Sequence, residues 1–350
     1  MISDILNTPD SKRLFPIYVR KGRSPRSSHA GYVDRAGVVV VEPKYEFAYP
    51  FREGFGAVSA NGKWGAINGD GELAIPMISG CPLVFTEGLS ELRQQGRAGV
   101  IDCLGNVVVS PRYKHVSYYD GGLACIAMGD QYGYIDSKGH QIIPPFFDDA
   151  RAFSEGFAAV KLGSKWGYIN PNGTTAITTK FDCAGLMAGP FRNGLARVAE
   201  NGKWGYIDRL GEFAISPQFE MAYEFSERRA VIRIGKKYGY VDTLGRIVVP
   251  AKLLHGNSFS EGLAAVDLGS GHGGLSIADN SKKGFIDQSG TFVISPQFFN
   301  TGRFQGGLCL VETEKNIGYI NHSGSFIWRS SFVEVGSFDP LHLFPSDVAY

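Results

Sequence analysis

Histidine and cysteine, the side chains that most often bind metals or act as nucleophiles, occur along the whole chain without forming a group. The seven histidines share no common spacing, and the sequence contains no H-E-x-x-H zinc motif, Walker loop or G-x-S-x-G nucleophile motif. The five cysteines form no C-x-x-C pair, which is typical of a reducing compartment and not of a disulfide framework or a zinc site. We therefore expect no catalytic residues, no metal and no cofactor.

Carboxylates, the usual general acids and bases, recur at one spacing. Nine Asp or Asn residues are each followed three residues later by a glycine. The pairs are Asp34/Gly37, Asn68/Gly71, Asp102/Gly105, Asp136/Gly139, Asn170/Gly173, Asp208/Gly211, Asp242/Gly245, Asp287/Gly290 and Asn321/Gly324. Because six carboxylates and three amides interchange there, the position requires a short side-chain oxygen that bonds the turn backbone, not a charge. We predict a structural role for these aspartates.

These turns belong to a unit that returns nine times. Each unit has an aromatic or apolar residue, then Gly, usually an aromatic, Ile or Val, and Asp or Asn. The second-position glycines are Gly31, Gly65, Gly99, Gly133, Gly167, Gly205, Gly239, Gly284 and Gly318. Their spacing is 34 residues except for steps of 38 and 45, which come from insertions near residues 186–189 and 267–283. A period of this size indicates stacked repeats that bury their apolar faces against their neighbours.

A second landmark, aromatic-x-x-Gly, keeps the same step and precedes a short apolar run, as at Phe153 to Gly156. Strand patterns between turn signals predict three strands per unit, and a segment with Ser-Pro or Pro-Pro predicts a short, outermost fourth strand. The fold class is therefore all-β, with nine tandem antiparallel repeats of about 34 residues. A β-propeller-like array is favoured slightly over an open β-solenoid or superhelix.

The unbroken repeat predicts one array over residues 15–338, after an N-terminal extension of residues 1–14. A tail of residues 339–350 is expected to cap the end of the array. The formal net charge of +1 disfavours binding to nucleic acid or to an anionic membrane. With no signal peptide and no run of about 18 apolar residues, we expect a cytoplasmic protein.

The sequence resembles the WG-repeat family, which is widespread in bacteria. Lys165 to Asn170 reads Lys-Trp-Gly-Tyr-Ile-Asn, Lys203 to Asp208 is nearly identical, and Phe259 to Val266 reads Phe-Ser-Glu-Gly-Leu-Ala-Ala-Val. The resemblance covers nearly the whole chain and departs from the family pattern at Ala66, at Val100 and at Arg228-Arg229. It implies a binding module used in many contexts and supplies no catalytic residues.

In a repeat protein, functional residues most often lie where one repeat departs from the consensus of the others. Several units carry charged residues where other units have small or apolar ones, in or beside the Leu-Ala-Ala-Val strand. The six candidates are Glu91, Arg93, Arg197, Arg228, Arg229 and Arg233. Because arginine and charged pairs set register and partner choice, we hypothesise that they mark a surface that binds another protein. The alternative is drifted repeats whose charged side chains are solvated or paired inside the protein.

Two loops are further candidates. Residues 20–26 form a basic cluster that could dock an acidic partner, although a solvated loop is the default. The glycine-rich insertion around His272 superficially resembles a phosphate loop but lacks the Lys-Ser/Thr and the helix that such a loop requires.

Three function classes follow. The first is a non-enzymatic scaffold that binds another protein, and by analogy a bacterial toxin-neutralising (immunity) or regulatory role would fit it. The second is a small-ligand or carbohydrate binder that uses Trp64, Trp166 and Trp204 as aromatic shelves. The third is an enzyme, which would need non-turn carboxylates to converge in one cavity.

Overall fold

The computed structural model describes residues 12–20, 28–183, 187–269 and 282–331. These residues form nine small antiparallel sheets, which we call blades 1 to 9 in chain order. In a four-stranded blade the strands have the same order in sequence and in space, and we call them A, B, C and D. Within the described ranges, no helix is long and apolar enough to span a membrane.

The first three blades come from the N-terminal third of the chain. Blade 1 has strands B, C and D as β1 (Phe15–Arg20), β2 (Ser28–Val33) and β3 (Val39–Tyr45). Blade 2 has strands A to D as β4 (Phe47–Ala48), β5 (Gly56–Ala60), β6 (Lys63–Ile67) and β7 (Leu73–Ser79). Blade 3 has strands B, C and D as β8 (Leu89–Gln94), β9 (Arg97–Asp102) and β10 (Val107–Tyr113).

The middle three blades repeat the arrangement. Blade 4 has strands A to D as β11 (His115–Asp120), β12 (Leu123–Met128), β13 (Gln131–Asp136) and β14 (Gln141–Phe147). Blade 5 has strands A to D as β15 (Asp149–Ala150), β16 (Ala158–Leu162), β17 (Lys165–Ile169) and β18 (Thr175–Phe181). Blade 6 has strands B, C and D as β19 (Ala196–Glu200), β20 (Lys203–Ile207) and β21 (Phe213–Phe219).

The last three blades each have four strands. Blade 7 has β22 (Met221–Ala222), β23 (Arg229–Ile234), β24 (Lys237–Asp242) and β25 (Ile247–Leu253). Blade 8 has β26 (His255–Gly256), β27 (Ala264–Asp267), β28 (Lys283–Ile286) and β29 (Phe292–Phe298). Blade 9 has β30 (Asn300–Thr301), β31 (Cys309–Glu312), β32 (Asn316–Ile320) and β33 (Phe326–Ser331).

The glycine of each Trp-Gly pair is required by a bulge in strand D. Strand D of blade 6 pairs with strand C at Phe219 and Ile215 but shifts register between them. The bulged backbone passes so close to Gly205 that a Cβ atom there would lie 2.5 Å from the Ile215 carbonyl oxygen. Real Cβ atoms do not approach an oxygen this closely, so only glycine fits at this position. The close approach of the bulged backbone therefore explains the periodic glycine.

The expectation of a separate, proline-containing fourth strand is wrong. Pro217 lies inside the seven-residue strand β21 and not in a strand of its own. It is accommodated because strand D is an edge strand with a bulge, where a missing N–H costs little. The short fourth strand is strand A, which opens a blade at its other edge, as β22 does in blade 7.

The ring is closed. The Tyr319 hydroxyl of blade 9 donates to the Pro16 carbonyl of blade 1 at 2.9 Å, and the rings of Tyr319 and Phe15 are 5.4 Å apart. Arg35 Nε of blade 1 donates to the Gly306 carbonyl of blade 9 at 2.8 Å. The Tyr319 bond repeats the bond from Tyr32 to the Ala57 carbonyl between blades 1 and 2. The array is therefore a nine-bladed β-propeller and not an open solenoid.

One tyrosine hydroxyl connects most neighbouring blades. The residue after the repeat glycine is a buried tyrosine whose hydroxyl donates to a backbone carbonyl in the next blade, as from Tyr206 to Tyr223 at 2.7 Å. Its ring packs on the aromatic residue of the next aromatic-x-x-Gly motif, with 4.7 Å between the centroids of Tyr206 and Phe225. The same hydroxyl bond is formed by Tyr32, Tyr134, Tyr168, Tyr240 and Tyr319. Ala66, Val100 and Phe285 hold this position in the other blades and have no hydroxyl.

Strand direction separates two faces of the ring. The A–B hairpins and C–D turns lie at one end of every blade, which we call the front face, and the B–C hairpins lie at the back face. Tyr118 of blade 4 is within electrostatic range of Arg52 of blade 2 and Arg192 of blade 6, so the A–B hairpins surround the central axis.

Both insertions fall between strands as predicted. Residues 184–186 and 270–281 of these insertions lie outside the described residues. Residues 21–27 of the basic loop and the tail 339–350 also lie outside them.

Candidate partner-binding surface

The repeated aspartates and asparagines are turn residues, as predicted. Asp208 Oδ1 accepts hydrogen bonds from the backbone N–H groups of Leu210 and Glu212 at 2.9 and 3.1 Å. Every one of the nine copies accepts at least one such bond. At Asp287, hydrogen bonds from the Ser289 side chain and the Thr291 backbone hold the pKa of the carboxyl below its usual range. These carboxylates are occupied by the fold and are not available for chemistry.

A second set of carboxylates links the A–B hairpins around the front face. Glu155 of blade 5 accepts hydrogen bonds from the backbone N–H groups of Asn193 and Gly194 in blade 6, at 2.7 and 2.9 Å. Burial raises its pKa, but these bonds and Arg209 at 3.0 Å outweigh burial, and the net pKa is lowered. Equivalent bonds are made by Glu53, Glu87, Glu227 and Glu261. Sequence reasoning missed this ladder, whose signal was the glutamate before the glycine of aromatic-x-x-Gly.

A polar cluster lies where the hairpins approach the axis. Burial raises the pKa of the Tyr118 phenol, and the nearby guanidinium groups of Arg192 and Arg52 oppose this effect. Burial also raises the pKa of Asp120, with Arg192 lowering it and Glu87 and Glu155 raising it. Non-turn carboxylates therefore do converge here, but Glu87 and Glu155 are each held by two backbone N–H groups of the next blade.

Glu91 and Arg93 lie at the contact between blades 3 and 4. The Arg93 guanidinium is 2.5 Å from Glu91 Oε1, and His115 Nδ1 of blade 4 is 3.1 Å from Glu91 Oε2. Burial raises the pKa of Glu91, but His115 and Arg93 outweigh it and the net pKa is lowered. The Glu91 side chain is only 16% exposed and the Arg93 side chain is 32% exposed, so the pair is engaged at the contact between the blades.

Arg197 is also engaged between blades. Its Nε atom lies 2.7 Å from Glu224 Oε1 of blade 7, and the Arg197 side chain is 15% exposed. The guanidinium lies 4.9 Å from the Trp204 ring centroid, an arrangement that adds cation–π attraction. Arg197 therefore packs in the contact between blades 6 and 7 and neutralises the charge of Glu224 there.

Arg228 and Arg229 are placed differently, because they replace Gly-Leu in an A–B hairpin on the front face. Arg228 has a φ of 64° and donates its backbone N–H to Asn193 Oδ1 at 3.0 Å. The Arg229 guanidinium donates to the carbonyls of Gln288 and Arg228 at 3.4 and 3.1 Å. Neither guanidinium has a carboxylate partner in the part of the chain that the structure describes.

Arg233 lies further along strand B of blade 7, paired with Tyr238 and Met221 of the flanking strands. Its Nε atom is buried and has no hydrogen-bond partner among the described residues. The six candidates thus lie at three places: the contact of blades 3 and 4, the contact of blades 6 and 7, and blade 7 itself. Only Arg228 and Arg229 present charge without a carboxylate on an open face, and partner binding by any of the six stays a prediction.

Two of the three motif tryptophans, Trp166 and Trp204, are core residues. Trp166 and Trp204 are each 2% exposed, with Arg151 and Arg197 over their rings at 5.7 and 4.9 Å. Trp64 is half-buried and makes an edge contact with Tyr49 at 5.3 Å. Trp166 and Trp204 therefore cannot serve as the ligand shelves that the second function class requires.

Among solved structures, the chain is similar to that of a eukaryotic initiation factor. That pair has 13% identity and a TM-score of 0.59, and the match covers 91% of this chain and 96% of the other. Hsv2p from Kluyveromyces lactis has 10% identity, coverage of 59% and 74%, and a TM-score of 0.39. PorZ of the type-IX secretion system of Porphyromonas gingivalis has 11% identity, coverage of 90% and 50%, and a TM-score of 0.35. The first similarity concerns the fold alone, and we draw nothing from the other two.

No curated protein matches the sequence significantly. A family model described as "WG containing repeat" matches seven segments, which together span more than half of the chain. The segments are residues 31–64, 99–132, 132–166, 166–204, 204–238, 238–270 and 284–316. The bulge-facing glycine, the tyrosine or other apolar residue after it and the Asp/Asn turn are the features that these segments share. The chain therefore belongs to the WG-repeat family.

Proposed function

We propose that this protein is a non-enzymatic scaffold that binds another protein at the front face of the ring. Arg228 carries the proposal. It occupies a left-handed position, with φ of 64°, that glycine fills in the other seven A–B hairpins. An arginine there costs about 1 kcal/mol relative to glycine. Within the described structure its guanidinium forms no hydrogen bond or ion pair that would offset this strain. Backbone strain without a compensating contact is typical of a functional position.

The polar groups of the repeat are consistent with this proposal because most of them are already used. Turn aspartates, ladder glutamates and tyrosine hydroxyls bond to backbone groups, and Glu91, Arg93 and Arg197 are paired at blade contacts. Arg228 and Arg229 remain on the front face as charged departures without a carboxylate partner among the described residues. The net charge of +1 favours a protein partner over nucleic acid or a membrane surface. A toxin-neutralising or regulatory module in the bacterial cytoplasm is the form of this function that we propose.

An enzyme ranks behind the scaffold. Asp120, Glu87 and Glu155 approach one another near the axis, as a hydrolase would need. However, the two glutamates bond to backbone N–H groups of the next blade and have little freedom to move protons.

A second candidate function is the binding of a small ligand. The Arg52, Tyr118 and Arg192 cluster favours it, because two guanidinium groups and a phenol from three blades converge near the axis. Sugars and nucleotides should then raise the thermal unfolding temperature of the protein, and that rise should be lost in Tyr118→Phe. No rise with any of these compounds would remove this candidate.

Affinity capture from an extract of cells that naturally produce the protein tests the scaffold. The intact protein should retain one stoichiometric partner, and Arg228→Glu combined with Arg229→Glu should lose it. The matched control is Lys138→Glu, a charge reversal in an exposed front-face turn of blade 4. Arg197 is left unchanged because reversing it would disrupt a blade contact. If neither the intact protein nor the control retains a partner, the scaffold proposal fails.

A further inference from the structure

Two leucines on neighbouring blades stand almost fully in solvent on the front face. Leu210 of blade 6 is 82% exposed and Leu244 of blade 7 is 72% exposed. Both occupy the third position of a C–D turn, where only the backbone N–H bonds to the turn aspartate, as from Leu244 to Asp242 at 3.0 Å. The equivalent residues elsewhere are Ala36, Asp70, Leu104, Lys138, Asn172, Ser289 and Ser323. The turn itself therefore does not require leucine.

The turn of Leu244 lies beside the A–B hairpin of blade 6, which contacts the arginine hairpin of blade 7, and the turn of Leu210 lies beside the hairpin of blade 5. The backbone N–H of Arg228 bonds Asn193 at 3.0 Å, which joins the A–B hairpins of blades 6 and 7. Each C–D turn lies against the A–B hairpin of the preceding blade, as the contacts of Arg209 with Glu155 and of Gln288 with Glu227 show. The same geometry places the turn of Leu244 against the hairpin that contains Asn193. Blades 6 and 7 thus present one continuous surface, which we call the leucine–arginine patch.

The patch carries unbalanced positive charge. Arg192 and Arg228 are exposed and Arg229 is half-buried. Arg192 lies within electrostatic range of the Asp120 carboxylate of blade 4, whereas Arg228 and Arg229 have no carboxylate partner in the described structure. The nearby carboxylates of Asp208, Asp242, Glu155 and Glu227 are engaged by backbone or side-chain donors. Glu212 is the exposed exception. Three guanidinium groups against the carboxylates of Asp120 and Glu212 leave an excess of about one positive charge.

We infer that the leucine–arginine patch binds an acidic segment of a partner protein, whose apolar side chains cover Leu210 and Leu244 and whose carboxylates pair with Arg192, Arg228 and Arg229. This inference rests on the proposed scaffold function and adds the surface and the chemistry of the partner. Arginine holds carboxylates through paired N–H donors. Arginine is enriched at protein-binding hot spots, and contiguous exposed apolar surface marks interaction sites.

Site-specific photo-crosslinking tests the inference. A photo-crosslinking amino acid replaces Leu210, Leu244 or, as the matched control, Lys138 at the same turn position of blade 4. Each protein is irradiated in an extract of cells that naturally produce it, and the crosslinked peptide is sequenced by mass spectrometry. We expect one protein to crosslink at positions 210 and 244 and not at 138, through a segment rich in Asp or Glu with apolar residues.

The captured segment is then synthesised and its affinity measured by fluorescence anisotropy. Leu210→Ser combined with Leu244→Ser should weaken binding about tenfold or more, and added salt should weaken binding to the intact protein. Folding should be unaffected, because Ser289 and Ser323 occupy the equivalent positions in blades 8 and 9.

The possible outcomes separate the two proposals. A partner captured by affinity but crosslinked equally at position 138, or only there, overturns the inference and leaves the scaffold function intact. A crosslinked segment that is basic or uncharged does the same. The absence of any partner in both experiments overturns the scaffold function and the inference together.

Discussion

Tyr206 illustrates how a single hydroxyl group joins two blades. The ring lies in the core with no measurable exposure, and its hydroxyl satisfies a backbone carbonyl of blade 7 that the sheet leaves unpaired. Phe285 shows that the same position accepts a ring without the hydroxyl. The shape of the core therefore depends on the ring, and the hydroxyl adds a separate contribution to the contact between blades.

Replacing Tyr206 by phenylalanine should lower the free energy of unfolding by about 1 to 2 kcal/mol, because the Tyr223 carbonyl loses its donor. Urea unfolding of Tyr206→Phe measures this change. The control is Tyr132→Phe, which removes a hydroxyl with no hydrogen bond to any described residue and should have almost no effect. Equal losses in the two variants would contradict the role given to the hydroxyl bond.

Arg197 and Arg228 are both arginines that break the repeat, but charge reversal should change the stability of the protein much more at Arg197 than at Arg228. Arg197→Glu places a carboxylate beside the partly buried Glu224 and should destabilise the protein by roughly 3 kcal/mol. Arg228→Glu changes an exposed side chain and should alter stability by less than about 0.5 kcal/mol. Thermal unfolding of the two variants compares them, and equal stability would mean that the Arg197–Glu224 contact does not hold the blades together.

The A–B hairpin is the element that organises the front face. Both central residues have positive φ, for example Glu155 at 51° and Gly156 at 83°, which is the geometry of a type I′ turn. The turn points the Glu155 side chain at the backbone of the next hairpin. Blade 4 lacks this link, because Gly121 stands where the glutamate would be.

A glutamate at position 121 should extend the ladder into blade 4. Gly121 has a φ of 62°, and a Cβ atom there would meet nothing within 4 Å. In Gly121→Glu the new carboxylate can accept the N–H groups of Glu155 and Gly156, which should make this variant about 1 kcal/mol more stable than Gly121→Ala. The alanine control carries the same cost of a side chain at positive φ, so chemical denaturation of the pair isolates the carboxylate. Equal stabilities would argue that the ladder bonds contribute nothing.

The elements were largely predictable because their signals are local. The Asp/Asn-x-x-Gly turn, the bulge-facing glycine and the edge proline each constrain only a few neighbouring residues, and all three kinds of position were found from spacing. The pairing of Arg197 with Glu224 was not predictable, since the two residues are 27 positions apart and meet only when blades pack. The short strand A was misplaced because its two-residue pairing leaves almost no pattern in the sequence.

At the scale of the whole molecule, closure depends on a small rotation at each blade contact, which no single repeat encodes. Contacts of the same kind recur around the ring, and the bond from Tyr319 to Pro16 uses one of them to join the two ends. The candidate site was only partly predictable for a related reason. Each departure from the repeat can be found in the sequence, but the residues that share one face of the propeller are known only once the ring has been described.

Six buried tyrosine hydroxyls make the ring sensitive to alkali. Burial raises the pKa of Tyr206, Tyr319 and their equivalents above the ordinary value of 10. Above about pH 10 the unfolded chain loses these protons while the folded protein keeps them, so stability is fully present below that pH and falls as the pH rises further. Urea unfolding between neutral pH and about pH 12 should reveal this loss, and the share of the tyrosinate absorbance that belongs to these six residues should appear only as the protein unfolds.

The variant Tyr206→Phe serves as the control for this pH dependence. It should lose about 1.4 kcal/mol less stability per pH unit above pH 10, because one proton fewer is linked to unfolding. A slope unchanged by this substitution would indicate that Tyr206 ionises in the folded ring.

The most direct measurement combines stability and binding in Arg228→Gly, which restores the glycine of the other seven hairpins. If Arg228 serves partner binding at a cost to the fold, this variant should be about 1 kcal/mol more stable and should lose most of its affinity for the captured partner. A variant that is more stable and binds its partner as tightly as the unmodified protein would contradict the account.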